Sequence, residues 1–162
     1  MIDISHLRNF VVRPVLQYLN MWSEVSENLV VGTAIQESHA TYLKQMGGGP
    51  ALGIYQMEPA THDDIWKNYI AFRQPLADTM RGLMIARYTS VPLFLKTGAE
   101  EMIGNLFYAT AMCRLRYKRV PEVIPETSLQ GIAYYWKRWY NTPLGAGTEE
   151  EFINNYRKYN KG

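Results

Sequence analysis

The 162-residue chain is 47% hydrophobic and 20% charged, which suits one globular domain with one core and excludes a disordered or low-complexity protein. With 17 basic and 15 acidic residues, the net charge of +2 is too slight to mark a nucleic-acid binder. A single cysteine, Cys113, excludes an intrachain disulfide, and no apolar run reaches the length of a membrane span, so no membrane insertion is expected.

In chain order, the start Met1 to Arg8 is broken by charge and lacks the apolar stretch of a secretory signal. The chain is therefore expected to be made in the cytoplasm without a signal peptide. The first predicted helix runs from Val15 to Trp22. The second runs from Glu27 to Lys44, with Ser26 as N-cap and Leu29, Val30, Ala34, Ile35 and Leu43 mostly on one face. Gly47-Gly48-Gly49-Pro50 is expected to end it. Leu52 to Met57 is short, apolar and bounded by turn residues, and reads as a single strand or extended loop.

Four Ser/Thr-x-x-acid/amide spacings then mark helix starts. Thr61 with Asp64 opens a helix through Ile65, Trp66, Tyr69 and Ile70. Pro75 suits the first turn of the next, which carries Leu76, Met80, Leu83, Met84 and Arg87. Thr97 with Glu100 opens a long helix whose face is Met102, Leu106, Ala109, Cys113 and Leu115. Thr127 with Gln130 leads into Ile132 to Tyr140, and Thr148 with Glu151 into Phe152, Ile153 and Tyr156. The fold class is mainly α, in one domain over residues 1–162, with very little β structure near Leu52-Met57.

On its residues alone, Glu37 reads either as a surface helix residue or as a catalytic acid. Cleaving a glycosidic bond requires an acid that protonates the leaving oxygen, and at neutral pH a carboxyl does so only if its surroundings keep it protonated. Glu37 lies near the C-terminal end of an apolar helix, where burial and the negative helix end both favour the neutral form. The glycines from Gly47 to Gly53 let the chain turn beside it and leave room for a polymer. His6, His39 and His62 have no metal-ligand spacing, so no metal and no cofactor are expected, and Gly47-Gly48-Gly49 lacks the Lys-Ser/Thr of a phosphate-binding loop.

Glu37-Ser38 followed by Gly53-Ile54-Tyr55-Gln56-Met57-Glu58-Pro59-Ala60-Thr61 resembles the motif pair of the soluble lytic transglycosylases and goose-type lysozymes. Trp139-Tyr140-Asn141, with Gly145 and Gly147 after it, resembles the third element of that family. Asn105 resembles the Asn of its intervening segment. The order matches, from Leu29 to about Gly147. Trp139 stands where the family has Ala, and Thr142-Pro143 where it has Gly. The wider wording from Gly32 to Ser38 and from Ile54 to Trp66 is most similar to a small phage-encoded branch of peptidoglycan transglycosylases and lysozymes.

The resemblance implies a lysozyme-like fold, with helices around a substrate cleft, and a monomer acting on bacterial peptidoglycan. Such a protein would work in the periplasm or cell wall as a lysis enzyme, or as a component of a phage particle. Glu37 takes the place of the family's acid/base. Ser38, Gln56, Tyr55, Tyr140 and Asn141 take the places of residues that bind substrate or orient the glutamate. A transglycosylase needs one carboxylate. An inverting hydrolase needs a second, roughly 6.5–9.5 Å from the first, and Glu58, Asp63 and Asp64 are the sequence candidates.

Overall fold

Two segments of the sequence have no exposed face, their few polar side chains included, and the fold is built by covering them. In Leu29 to Ile35 and in Tyr108 to Leu115 every residue is buried. A helix that is apolar all round has to be enclosed by other elements. The computed structural model describes residues 1–85, 98–125 and 128–161; Arg87, Thr97 and Thr127, each given a place in the predicted helices, lie outside them.

The mainly α class is observed. The N-terminal helical stretch is α1 (Ile4–Leu7), a π turn (Arg8–Val12) and α2 (Arg13–Tyr18). It begins well before the predicted Val15, because the Asp3 side chain accepts the His6 amide and caps it. The first enclosed helix, α3, spans Glu24–Ser38. After a 3-10 turn at Met46–Gly48 come α4 (Pro59–Ile65), a π turn (Trp66–Ile70) and α5 (Gln74–Leu83). A second 3-10 turn (Gly98–Glu100) leads through α6 (Glu101–Gly104) to α7 (Leu106–Lys118), the other enclosed helix. The chain ends with α8 (Leu129–Trp136), a π turn (Lys137–Asn141) and α9 (Glu149–Tyr159). α3 is covered by α7, α8, α9 and the first π turn. No helix among the described residues is long and apolar enough to cross a membrane.

Several boundaries differ from expectation for identifiable reasons. The N-cap of α3 is Ser23, not Ser26; Ser26 is its partner three residues on, and the two side chains and amides bond reciprocally. The helix stops at Ser38, before the predicted Lys44 and Gly47. His39 and Ala40 are both left-handed, and their amides return to Ile35 O and Ala34 O, an ending that glycine usually supplies. Buried Ala40 is held there by the Ile2 amide on its carbonyl, at 3.0 Å. α4 starts at Pro59, so Thr61 lies inside it rather than capping it. The long helix expected after Thr97 is broken at Asn105, whose side chain caps α7 through the Tyr108 amide. Ser128 caps α8, and the Thr148-Glu151 box forms with both of its bonds. Near Leu52-Met57 there are only isolated bridges, of Leu52 to Lys44 and to Met57.

Two contacts fix α3, one in its first turn and one at its middle. Glu27 accepts from Arg8, Arg13 and Trp22 at 2.7–2.8 Å. Burial alone would raise its pKa, but these bonds outweigh it and hold the carboxyl down at about 2. Farther along, Gly32 lets Phe152 of α9 lie against the α3 backbone. A β-carbon there would stand 2.5 Å from Phe152 Cζ, and that ring is fully buried, with Trp136 at 5.2 Å. Gly32→Val should therefore destabilise the protein by roughly 1–3 kcal/mol through overpacking. Urea unfolding measures this, and an unchanged midpoint would contradict the packing described.

Candidate active site

Glu37 sits in the last turn of α3, half-buried, at the wall of a cleft of about 400 Å³. Tyr42, Gln45, Met46, Ala51, Gln56 and Glu58 form the rest of the lining. The Trp136 indole donates from Nε1 to Glu37 Oε1 at 2.9 Å. Burial raises the Glu37 pKa, and the Trp136 bond and the nearby Arg116 charge lower it in part; the balance lies at about 7. Near neutrality such a carboxyl can both give and accept a proton.

One lip of the cleft is the turn from Leu52 to Met57. Gly53 adopts a positive φ of 73°, and a β-carbon there would run into the Met102 carbonyl. Two consecutive carbonyls of the turn are gripped from below. Ser38 Oγ donates to Ile54 O at 2.6 Å, and Tyr140 Oη donates to Tyr55 O at 2.7 Å. The Tyr55 hydroxyl points into the core and bonds Thr110 Oγ1 at 2.8 Å. Gln56 is left-handed, and its amide folds back to Gly53 O at 2.9 Å.

The residues singled out in the sequence therefore separate into groups. Glu37, Gln56 and Glu58 share the cleft. Ser38, Tyr55 and Tyr140 are buried beneath it and tie its lip to α3, α7 and the π turn, so they shape the cleft from within. Asn141 is half-buried, and its Oδ1 accepts from Lys137 Nζ, which also bonds Gly145 O and Gly147 O and so braces the following loop. Asp63 is paired with His62, and Asp64 with Arg119 and Asn68, on the outer side of α4. Of the three candidate second carboxylates, only Glu58 lines the cavity with Glu37. It occupies the N-cap position of α4 without making a cap bond.

Two contributors escaped the sequence reading. Trp136 lies four residues before Tyr140 on the same helical segment, so its placement beside the Tyr140 side of the cleft was available from helical spacing. Arg116 stands in the basic stretch from Arg114 to Arg119, which as sequence alone suits the solvated end of a helix. Instead its guanidinium lies 4.0 Å over the Tyr140 ring, and Nη2 donates to Tyr140 O at 2.5 Å. His39 is exposed against Tyr159, and Cys113 is buried, its thiol pushed up by that burial. Among the described residues no group of three His, Cys, Asp or Glu is placed to hold a metal ion.

No family model matches the chain, and no curated protein and no solved structure does.

The Glu37 environment has a consequence for stability that does not depend on function. Its folded pKa of about 7 lies above the ordinary value of 4.5. The stability linked to the neutral carboxyl is complete below the lower value and is lost as pH rises through the higher one, because the unfolded chain releases its proton first. Glu37→Gln should stabilise the protein by roughly 1–3 kcal/mol at about pH 8 and very little at about pH 4. Thermal unfolding at both pH values checks this; a pH-independent difference would show that the carboxyl is not held neutral.

Proposed function

We propose that this protein cleaves the β-1,4 bond between N-acetylmuramic acid and N-acetylglucosamine in peptidoglycan, with Glu37 as the general acid and base. The observation that carries the reading is a half-buried carboxyl, poised near pH 7 by one indole donor, at the wall of an open cleft. The ordered motif resemblance supplies the substrate class. On the same ground we propose a lysozyme-like fold, with α3 and α7 as its enclosed helices and the Leu52-Met57 turn as its small β element. The phage-like wording supports a role on the wall in lysis or as part of a phage particle.

In the transglycosylase route Glu37 gives its proton to the glycosidic oxygen as the C1–O bond breaks. The sugar passes through an oxocarbenium-like state stabilised by its own acetamide. The ionised Glu37 then takes the proton of the C6 hydroxyl as O6 bonds to C1, giving a 1,6-anhydro end and consuming no water. One carboxyl does both tasks, an exception to the two-carboxylate pattern. A pKa near 7 serves both directions.

A second reading, hydrolysis, is favoured by one observation: Glu58 lines the same cavity as Glu37. There it would activate the attacking water, and the product would be a reducing end. Asp63 and Asp64, engaged with His62 and Arg119, support no such step.

Digestion of purified peptidoglycan followed by mass spectrometry of the muramic acid ends separates the routes. Anhydro ends, with Glu58→Gln close to wild type, are expected. Reducing ends that vanish in Glu58→Gln would move the assignment to hydrolysis. Glu37→Gln should lower cleavage by about 10²-fold or more while retaining wall binding. Cleavage unaffected by that substitution would remove Glu37 from the mechanism. Walls that are bound but never cut would favour a non-catalytic wall-binding or virion structural protein.

A further inference from the structure

A carboxyl that acts as acid and then as base has two oxygens, and the protein has to determine which one handles the proton. The indole N–H of Trp136 is a donor only. It lies 2.9 Å from Oε1 of Glu37. In the neutral acid the better acceptor is the carbonyl oxygen, so Oε1 takes that role and the proton belongs on Oε2. In the carboxylate the same bond becomes charge-assisted and strengthens. The bond persists through both half-reactions, while the proton comes and goes at the other atom.

Resting on Glu37 being the acid proposed above, we infer that Trp136 is the positioning residue of this site: it fixes Oε1 as the accepting oxygen and assigns proton transfer to Oε2.

Trp136 is itself immobilised by parts of the chain remote from the cleft. Its side chain is buried, with the ring of Phe152 of α9 at 5.2 Å. A β-carbon on Gly147 would stand 2.8 Å from Trp136 Cη2, so that glycine leaves just the space the indole edge occupies. α9 also holds the residue beside the acid, since Asn155 Nδ2 donates to Gln36 Oε1 at 2.8 Å. The C-terminal helix thus bears on the end of α3 from two directions, through the Trp136 indole and through the Gln36 side chain. Arg116 acts differently. It contributes charge near Glu37 and holds the Tyr140 carbonyl.

The test combines a readout independent of activity with one that depends on it. The Trp136 indole N–H resonance, followed by NMR across the neutral range in the full chain, should shift with a midpoint at about 7 in the wild type and stay flat in Glu37→Gln. Trp136→Phe keeps an aromatic ring against Phe152 and removes the donor. It should lower kcat on purified peptidoglycan roughly tenfold or more with little change in KM. Losing a donor that favours the ionised form moves the alkaline limb of its pH profile to higher pH.

An indole signal that does not titrate in the wild type, or a Trp136→Phe profile superimposable on the wild type, would overturn the inference. The wild-type titration stands even if the variant fails to fold. A titrating indole in a protein that leaves walls intact would retain the positioning contact and overturn the proposed function. Cleavage of walls with a flat indole would do the reverse.

Discussion

The enclosure of α3 on every side is the constraint from which the rest of the molecule follows. Leu29 to Ile35 presents no face that water can occupy, so α7, α8, α9 and the N-terminal π turn surround it. A helix enclosed in this way delivers its last turn to the edge of the core at a fixed point. Glu37 is on that turn, half-buried because the helix beneath it is fully buried. The elevated proton affinity of the carboxyl is thus a result of packing, with Trp136 and Arg116 moderating it. A site of this kind lowers stability at alkaline pH, where its carboxyl ionises in a poorly solvated position.

The same constraint organises the cleft. Because α3 ends at Ser38 and reverses through His39 and Ala40, the next segment is free to form the lip. Its backbone is then stitched to the core at successive residues: Ile54 O to Ser38 and Tyr55 O to Tyr140, with the Tyr55 side chain reaching Thr110 on α7. These bonds make the lip an extension of the core. Ser38, Tyr55 and Tyr140, for which the motif resemblance implies substrate contact, lie one layer below the cavity. What faces the cavity is a small set, among them Glu37, Gln56 and Glu58, with the aromatic ring of Tyr42 alongside.

Much of this was legible in the sequence, and the exceptions have physical causes. Helix class was legible, and so were the start at Thr148-Glu151, from its capping box, and the place of Pro75 in the first turn of α5; the caps expected at Ser26 and Thr61 were not found there. The end of α3 was not legible, because its left-handed turn falls on His39 and Ala40 rather than on a glycine, and is held by the tertiary contact from Ile2. The break at Asn105 was hidden for a related reason: the apolar positions keep helical spacing across it, so periodicity carries no trace of the cap. At the site, Glu37, Gln56 and Glu58 could be named from the ordered motif resemblance, whereas the apolar helix alone left Glu37 readable as a surface residue. The position of Trp136, four residues before Tyr140, was available from helical spacing, but its bond to Glu37 and the role of Arg116 were not, since they depend on the way α8 and α7 converge on the end of α3. Glu58 was separable from Asp63 and Asp64 only once α4 was placed, with one carboxylate toward the cavity and two away from it.

The proposed chemistry requires Glu37 to be a neutral acid near physiological pH. The direct measurement is an NMR titration of its side-chain carboxyl carbon in the 162-residue chain, assigned by comparison with Glu37→Gln. A midpoint at about 7 is the result that burial beside a single indole donor predicts. A midpoint near the ordinary value of 4.5 would mean that the carboxyl is solvated and ionised at neutral pH. Glu37 would then have no proton to give, and the proposed chemistry would have no acid.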